Sequence, residues 1–151
     1  CKIIDNFVFL FRGLNMRIAV IDGQGGGMGK TIVEKLRLEF GHDLEILALG
    51  TNALATALML KAGANEGASG ENAIIYNSTR VDVIMGPIGI IAANSMLGEL
   101  TPAMAKAIAE SPAKKILIPI NKCNIQIACI KNDPLPHQVD SAIILLKEFM
   151  G

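Results

Sequence analysis

Tryptophan is absent from this chain, and aromatic residues occupy only 4% of its 151 positions. The core is therefore aliphatic. No charge of either sign predominates: 14 basic side chains balance 14 acidic ones. Nucleic-acid binding requires a basic patch or stripe, so no nucleic acid is expected as a partner. The three cysteines, Cys1, Cys123 and Cys129, form an odd set without a C-x-x-C pair, and His42 and His137 stand alone. A zinc site needs about four clustered ligands, so no metal is expected. The cysteine pattern implies a reduced, cytoplasmic protein. A long apolar run is also missing. The charge-free segment 83–98 contains Gly86, Pro87, Gly89, Asn94 and Ser95, and it is shorter than the ~20 residues of a spanning helix. No membrane partner is expected.

What is present is aliphatic: 51% of residues are hydrophobic, and the mean hydropathy is +0.43. Such a composition suits a parallel sheet covered on both faces by helices. The length fits one domain. So much apolar surface in so short a chain suggests a homodimer. Residues 1–15, CKIIDNFVFLFRGLN, lack an initiating Met and read as a non-native extension; Met16 opens MRIAVIDG, a usual start for an α/β domain. The segment has neither the h-region flanks nor the cleavage site of a signal peptide. The domain is expected over 16–151.

Along the chain, strands and helices alternate. Strands are expected at 17–22, 44–49, 64–68, 81–85, 115–119 and 125–130. Helices are expected at 28–40, where Ile32, Val33, Leu36 and Phe40 share a face, then at 53–61, from a Ser69 N-cap through Tyr76, at 90–97, and from Thr101-Pro102 to Glu110. A last helix carries Val139, Ile143, Leu146 and Met150 on one face. This order predicts a three-layer α/β/α sandwich, Rossmann-like, with a mostly parallel, doubly wound sheet. Ligands of such sheets bind outside the carboxyl ends of the strands. The turns there are 22–29, 50–52, 86–89 and 121–123, and three of the four are rich in Gly or Asn.

The first turn is the most telling. Residues 20–31 read VIDGQGGGMGKT, with five glycines in the seven positions 23–29. Glycines before a helix let a phosphate approach free backbone amides at the positive end of the helix dipole. Two spacings compete. Gly23, Gly25 and Gly29 give G-x-G-x-x-x-G after a first strand, one residue longer than the dinucleotide fingerprint. The acid expected at the end of strand two is missing; Thr51 and Asn52 stand there as weaker candidates for the ribose. Gly29-Lys30-Thr31 instead matches the end of a mononucleotide P-loop, whose first Gly would fall on Gln24. Gly26, Gly27 and Met28 extend that likeness toward the GGxGK[ST] of ParA- and MinD-like ATPases. None of the strands at 44–49, 81–85 and 115–119 ends in the Asp that would hold Mg²⁺. The spacing and the missing Asp favour the dinucleotide reading. Asp22 would repel a phosphate unless a metal or ribose hydroxyl intervened; otherwise it caps the amides of its own loop.

The candidate binding residues are thus Asp22, Gly23, Gln24, Gly25, Gly26, Gly27, Met28, Gly29, Lys30 and Thr31, with Thr51, Asn52, Gly86, Pro87, Gly89 and Asn121. The expected cofactor is NAD(P), with ATP or GTP and magnesium as the alternative. Glu71 and Asn72 read as helix-start residues, with ligand contact as the other possibility. Asn94, Ser95 and Glu99 read as satisfied polar groups of a buried helix or as site residues. Cys123 has only the remote His137 as a base and reads as a small buried hydrophobe. No complete catalytic constellation is present.

Four stretches, MRIAVIDGQGGGMGKTIVEKL, LGTNALATALMLKAGANEGASGENAI, VDVIMGPIGIIAANSMLGELTPAMA and KILIPINKCN, resemble a small bacterial family of uncharacterised proteins described only as a domain of unknown function. They cover most of 16–124. The resemblance implies a compact bacterial domain and carries no activity. From the residues, the expected function is nucleotide or dinucleotide binding. If the protein is an enzyme, the expected chemistry is NAD(P)-dependent hydride transfer. The alternatives are a non-catalytic nucleotide sensor and a P-loop-like phosphotransferase or ATPase.

Overall fold

The computed structural model describes residues 16–119 and 124–151. The expectations for residues 1–15 and for Asn121, Lys122 and Cys123 lie outside them. Five parallel strands form one sheet: β1 (Arg17–Asp22), β2 (Glu45–Gly50), β3 (Glu66–Ser69), β4 (Val83–Pro87) and β5 (Lys114–Ile118), in the order β3-β2-β1-β4-β5. Five α-helices connect and cover them: α1 (Gly27–Phe40), α2 (Ala53–Ala62), α3 (Glu71–Asn77), α4 (Pro102–Glu110) and α5 (Leu135–Met150).

The strands read as unbroken apolar runs because both faces of the sheet are covered. Side chains alternate across the sheet with period two. Ile18, Val20, Ile46, Ala48, Val83, Met85, Ile116 and Ile118 share a core with Ile32, Val33 and Leu36 of α1, Met59 of α2, and Val139, Ile143 and Leu146 of α5. Ala19, Ile21, Leu47, Leu49 and Ile84 point the other way, onto Ile74 of α3 and Met104 and Ile108 of α4. The chain is therefore an α/β/α sandwich of Rossmann type, as its strand–helix alternation implies. β1 is central and pairs in parallel with both β2 and β4. The strand order reverses between β1 and β4, which opens a crevice at their carboxyl ends.

Three expectations are corrected. Residues 125–130 form irregular backbone with a turn at Ala128 and Cys129 instead of a strand, although Ile125 and Ile127 alternate. Cys129 takes φ 64°, a left-handed conformation that an extended strand cannot hold. Residues 90–97 are not a buried helix. Two short 3-10 turns, Ile88–Ile91 and Met96–Gly98, flank an irregular corner. Asn94, Met96 and Leu97 are left-handed there, and Leu97 is 97% exposed. Ser69 does not cap α3. It ends β3 and pairs its hydroxyl with Thr56 Oγ1 at 2.7 Å, while Gly70 stands at the cap with φ 97°. Among the described residues no helix is long and apolar enough to cross a membrane.

Candidate functional site

The crevice beside β1 opens into a cavity of about 690 Å³ lined by Asp22, Gly23, Gln24, Gly25, Gly26, Gly27 and Met28 on one side, and by Pro87, Gly89, Met96, Leu97 and Leu135 on the other. Its size falls within the about 300–1,000 Å³ of ligand pockets. The turn after β1 builds the floor. Asp22, 5% exposed, folds its carboxylate back into the loop, where Oδ1 accepts from the Gly23 amide at 2.8 Å and Oδ2 from the Gly29 amide at 2.7 Å. The carboxylate thus lies at the positive end of the α1 dipole and caps its own loop, one of the two roles its position allowed. Gly26 closes the turn, its amide donating to the Gly23 carbonyl at 2.9 Å. It needs glycine twice over: its φ is 73°, and a Cβ would strike the Ala55 backbone.

Gly29 serves packing. A Cβ there would collide with Met59 Sδ and Asp22 Cβ, whereas at Gly25 and Gly27 it would meet open space. A last glycine that lets helix and strand pack closely is also a feature of glycine turns at the start of such sheets. Among the described residues nothing accepts a hydrogen bond from the amides of Gly25, Gly27 or Met28. Those donors border the cavity. They are the unsatisfied amides that every helix start presents.

The other candidates lie elsewhere. Lys30 is on the exposed side of α1, its Nζ 3.8 Å from Glu34 Oε1. Thr31 Oγ1 donates to the Gly27 carbonyl at 2.9 Å. Because α1 begins at Gly27, Lys30 and Thr31 are its fourth and fifth residues, and the lysine lies along the helix surface beside Glu34 instead of at the helix tip that a P-loop lysine serves. Gly86 is inside β4, where a Cβ would strike the Ile21 carbonyl. Thr51 and Asn52 stand just past β2. Asn52 Oδ1 caps α2 through the Ala55 amide at 2.9 Å. Its Nδ2 donates to the Gln24 carbonyl at 3.0 Å and to Glu99 Oε1 at 2.5 Å. Glu71 lies off the cavity in the first turn of α3 and accepts from Thr101 Oγ1 at 2.9 Å. Asn72 and His137 are exposed. Ser95 is buried and donates to the Gly89 carbonyl, so it stabilises the corner that forms the cavity's far wall.

Met96, Leu97 and Leu135 were not among the sequence candidates. Leu135 opens α5, and no local signal directs it to the glycine loop; only the return of α5 onto the α1 face does so. Among the described residues no group of three or more His, Cys, Asp or Glu side chains is placed to hold a metal ion.

The titration shifts fall outside the cavity. Arg37 donates to the carbonyls of Gly63, Gly41 and Leu44 at 2.7, 2.9 and 2.9 Å and to Asn65 Oδ1 at 2.5 Å. Burial lowers its pKa, and a guanidinium remains charged nonetheless. Lys35 pairs with Asp140 of α5 at 2.8 Å. That hydrogen bond raises the lysine pKa, with burial opposing it and the charges of Asp140 and Glu39 adding to it.

The strand order, the glycine turn opening a helix and the crevice at the switch point define a Rossmann-type α/β domain. The chain belongs to the family described as Domain of unknown function (DUF3842), which matches residues 17–151. No curated protein matches it. Among solved structures it is similar to a dodecameric FMN-dependent UbiX-like decarboxylase from Escherichia coli O157:H7, at 15% identity, over 87% of this chain and 76% of that one, with a TM-score of 0.42.

Proposed function

We propose that the chain binds a nucleotide cofactor, NAD(P) in the first instance, with a phosphate on the amides of Gly25, Gly27 and Met28. The observation that carries this reading is the coincidence of these three donors with the cavity at the β1/β4 switch point. An anion there gains hydrogen bonds and the α1 dipole without displacing any protein group. The positions of Lys30 and Thr31 favour this reading over the ATP or GTP one. Asp22, the ionisable side chain in the wall, is already committed to two amides, so the cofactor supplies any chemistry. Hydride transfer is the reaction such a site supports. The scarcity of catalytic groups among the described lining residues favours, as a second reading, a nucleotide sensor without catalysis.

The test is thermal shift of the full chain against NAD, NADP, ATP and GTP, each with and without Mg²⁺. A ligand at a hundred times its Kd adds about 2.7 kcal/mol to stability. The expected result is a shift with NAD or NADP that ignores Mg²⁺. A shift with ATP or GTP only in Mg²⁺ favours the P-loop reading, and a flat panel removes the nucleotide. Self-association belongs to the same proposal. Ile144, Leu145 and Phe149 stand exposed on α5, and sedimentation velocity reads whether copies pair.

A further inference from the structure

In a dinucleotide-binding sheet the adenosine ribose is held by an acid at the end of β2. Here β2 ends at Gly50, followed by Thr51 and Asn52, and neither is acidic. A carboxylate nevertheless stands at that place. Glu99 follows the second 3-10 turn, between β4 and α4, and its Oε1 accepts from Thr51 Oγ1 at 3.0 Å, Asn52 Nδ2 at 2.5 Å and the Gln24 amide at 3.3 Å. All three bonds converge on one oxygen. Among the described residues Oε2 has no partner, so half of the acceptor capacity of the carboxylate is unspent.

The approach of Glu99 is built in by the backbone. Asn94, Met96 and Leu97 take φ of 64°, 57° and 56°, left-handed conformations that non-glycine residues rarely adopt. Surrounding bonds hold the corner. The Asn94 amide donates to the Leu100 carbonyl at 2.8 Å, and the Leu100 amide donates to the Ser95 carbonyl at 3.3 Å. Strained backbone of this kind persists only where the surrounding structure holds it in place. Gln24, whose amide donates to the carboxylate, and Met96, whose carbonyl accepts from the Glu99 amide at 3.1 Å, both line the cavity.

We infer that Glu99 is the ribose-binding acid of this domain, supplied from the β4–α4 connection in place of the missing residue on β2, and that it selects NAD over NADP. The free Oε2 accepts from the ribose hydroxyls of the adenosine half. The same negative charge opposes a 2′-phosphate. The inference rests on the nucleotide reading above and names the cofactor within it.

The test is calorimetric titration of the full chain with NAD⁺, NADP⁺ and an NAD⁺ analogue lacking the adenosine 2′-hydroxyl, repeated on Glu99→Gln. The glutamine keeps an Oε1 acceptor for the three donors and removes the charge. Wild type is expected to bind NAD⁺ at least about tenfold more tightly than NADP⁺, and Glu99→Gln to bring that ratio near one. The deoxy analogue is expected to bind wild type about tenfold less tightly than NAD⁺; this arm needs no variant. Equal affinities in wild type, or a preference that survives Glu99→Gln, overturns the role of Glu99 and leaves the nucleotide reading standing. Absence of binding by all three overturns the NAD(P) reading on which the role of Glu99 rests.

Discussion

The carboxylate of Asp22 bridges the loop to the helix it precedes: its Oδ2 lies 2.7 Å from the amide of Gly29, seven residues on. Its other oxygen takes the Gly23 amide. Asp22→Asn leaves one acceptor oxygen for two buried donors. The expected cost is about 1–3 kcal/mol for the amide left unpaired. Urea denaturation of the two proteins measures it, and a difference under about 0.5 kcal/mol would show the loop held by other means.

Two glycines of the loop respond oppositely to the same methyl group. Gly29→Ala drives a Cβ into Met59 Sδ and Asp22 Cβ, and overpacking of this kind costs about 1–3 kcal/mol. Gly27→Ala meets open space and leaves stability unchanged or raises it by up to about 1 kcal/mol. Its methyl stands at the cavity wall, so nucleotide affinity falls while the melting temperature does not. Loss of stability in Gly27→Ala, or affinity kept intact, counts against the proposed phosphate position.

Lys30→Ala separates the two glycine-loop readings. The Nζ of Lys30 faces Glu34 on the helix surface, so nucleotide affinity is expected to change by less than about twofold, as for an exposed charge near no ligand. Abolished binding would place the lysine on a phosphate and restore the P-loop.

Arg37 joins the end of α1 to the turns before β2 and β3 through four acceptors. Arg37→Met keeps the apolar stem and removes all four bonds. The expected loss is about 2–4 kcal/mol, read by chemical denaturation. Arg37→Lys recovers only part of it, because one ammonium cannot reach a set of acceptors arranged for a planar fork.

The Lys35–Asp140 pair sets a pH dependence at the alkaline end. The lysine pKa is raised in the folded protein, chiefly by the hydrogen bond from its ammonium to Asp140. A raised lysine pKa stabilises the fold fully below the unfolded value of 10.5 and ceases to do so as pH climbs through the folded value. The difference in melting temperature between wild type and Asp140→Asn is therefore expected to be level near neutral pH and to shrink above 10.5. A difference that grows with pH would contradict the pairing.

Much of the fold was legible because its signals are local. The apolar run of β1, the 3.6-residue stripe of α1 and the Thr101-Pro102 start of α4 each declare themselves within about ten residues. The observed α4 is capped as its sequence suggests, with Thr101 Oγ1 accepting from the Met104 amide at 3.2 Å. The misread segments failed for a physical reason. The apolar spacings at 90–97 and 125–130 fit a helix and a strand, but left-handed residues at Asn94, Met96, Leu97 and Cys129 break both. Apart from Asn94, these are residue types that do not announce that conformation. The glycine turn stood out in the sequence because glycine carries its own geometry. The position of Glu99 was not legible, although the residue itself was a candidate. Its partners are 47, 48 and 75 residues away, and only the order of the strands brings them together.

The two outermost strands limit how such domains can join. β3 is four residues long and exposes Glu66, and β5 begins with exposed Lys114. Short, charged borders of this kind discourage a sheet from growing by strand addition. Any contact between copies would then fall on the helical layers, where Ile144, Leu145 and Phe149 lie open. An assembly formed that way would stack closed units side by side, each keeping its own crevice at the end of β1.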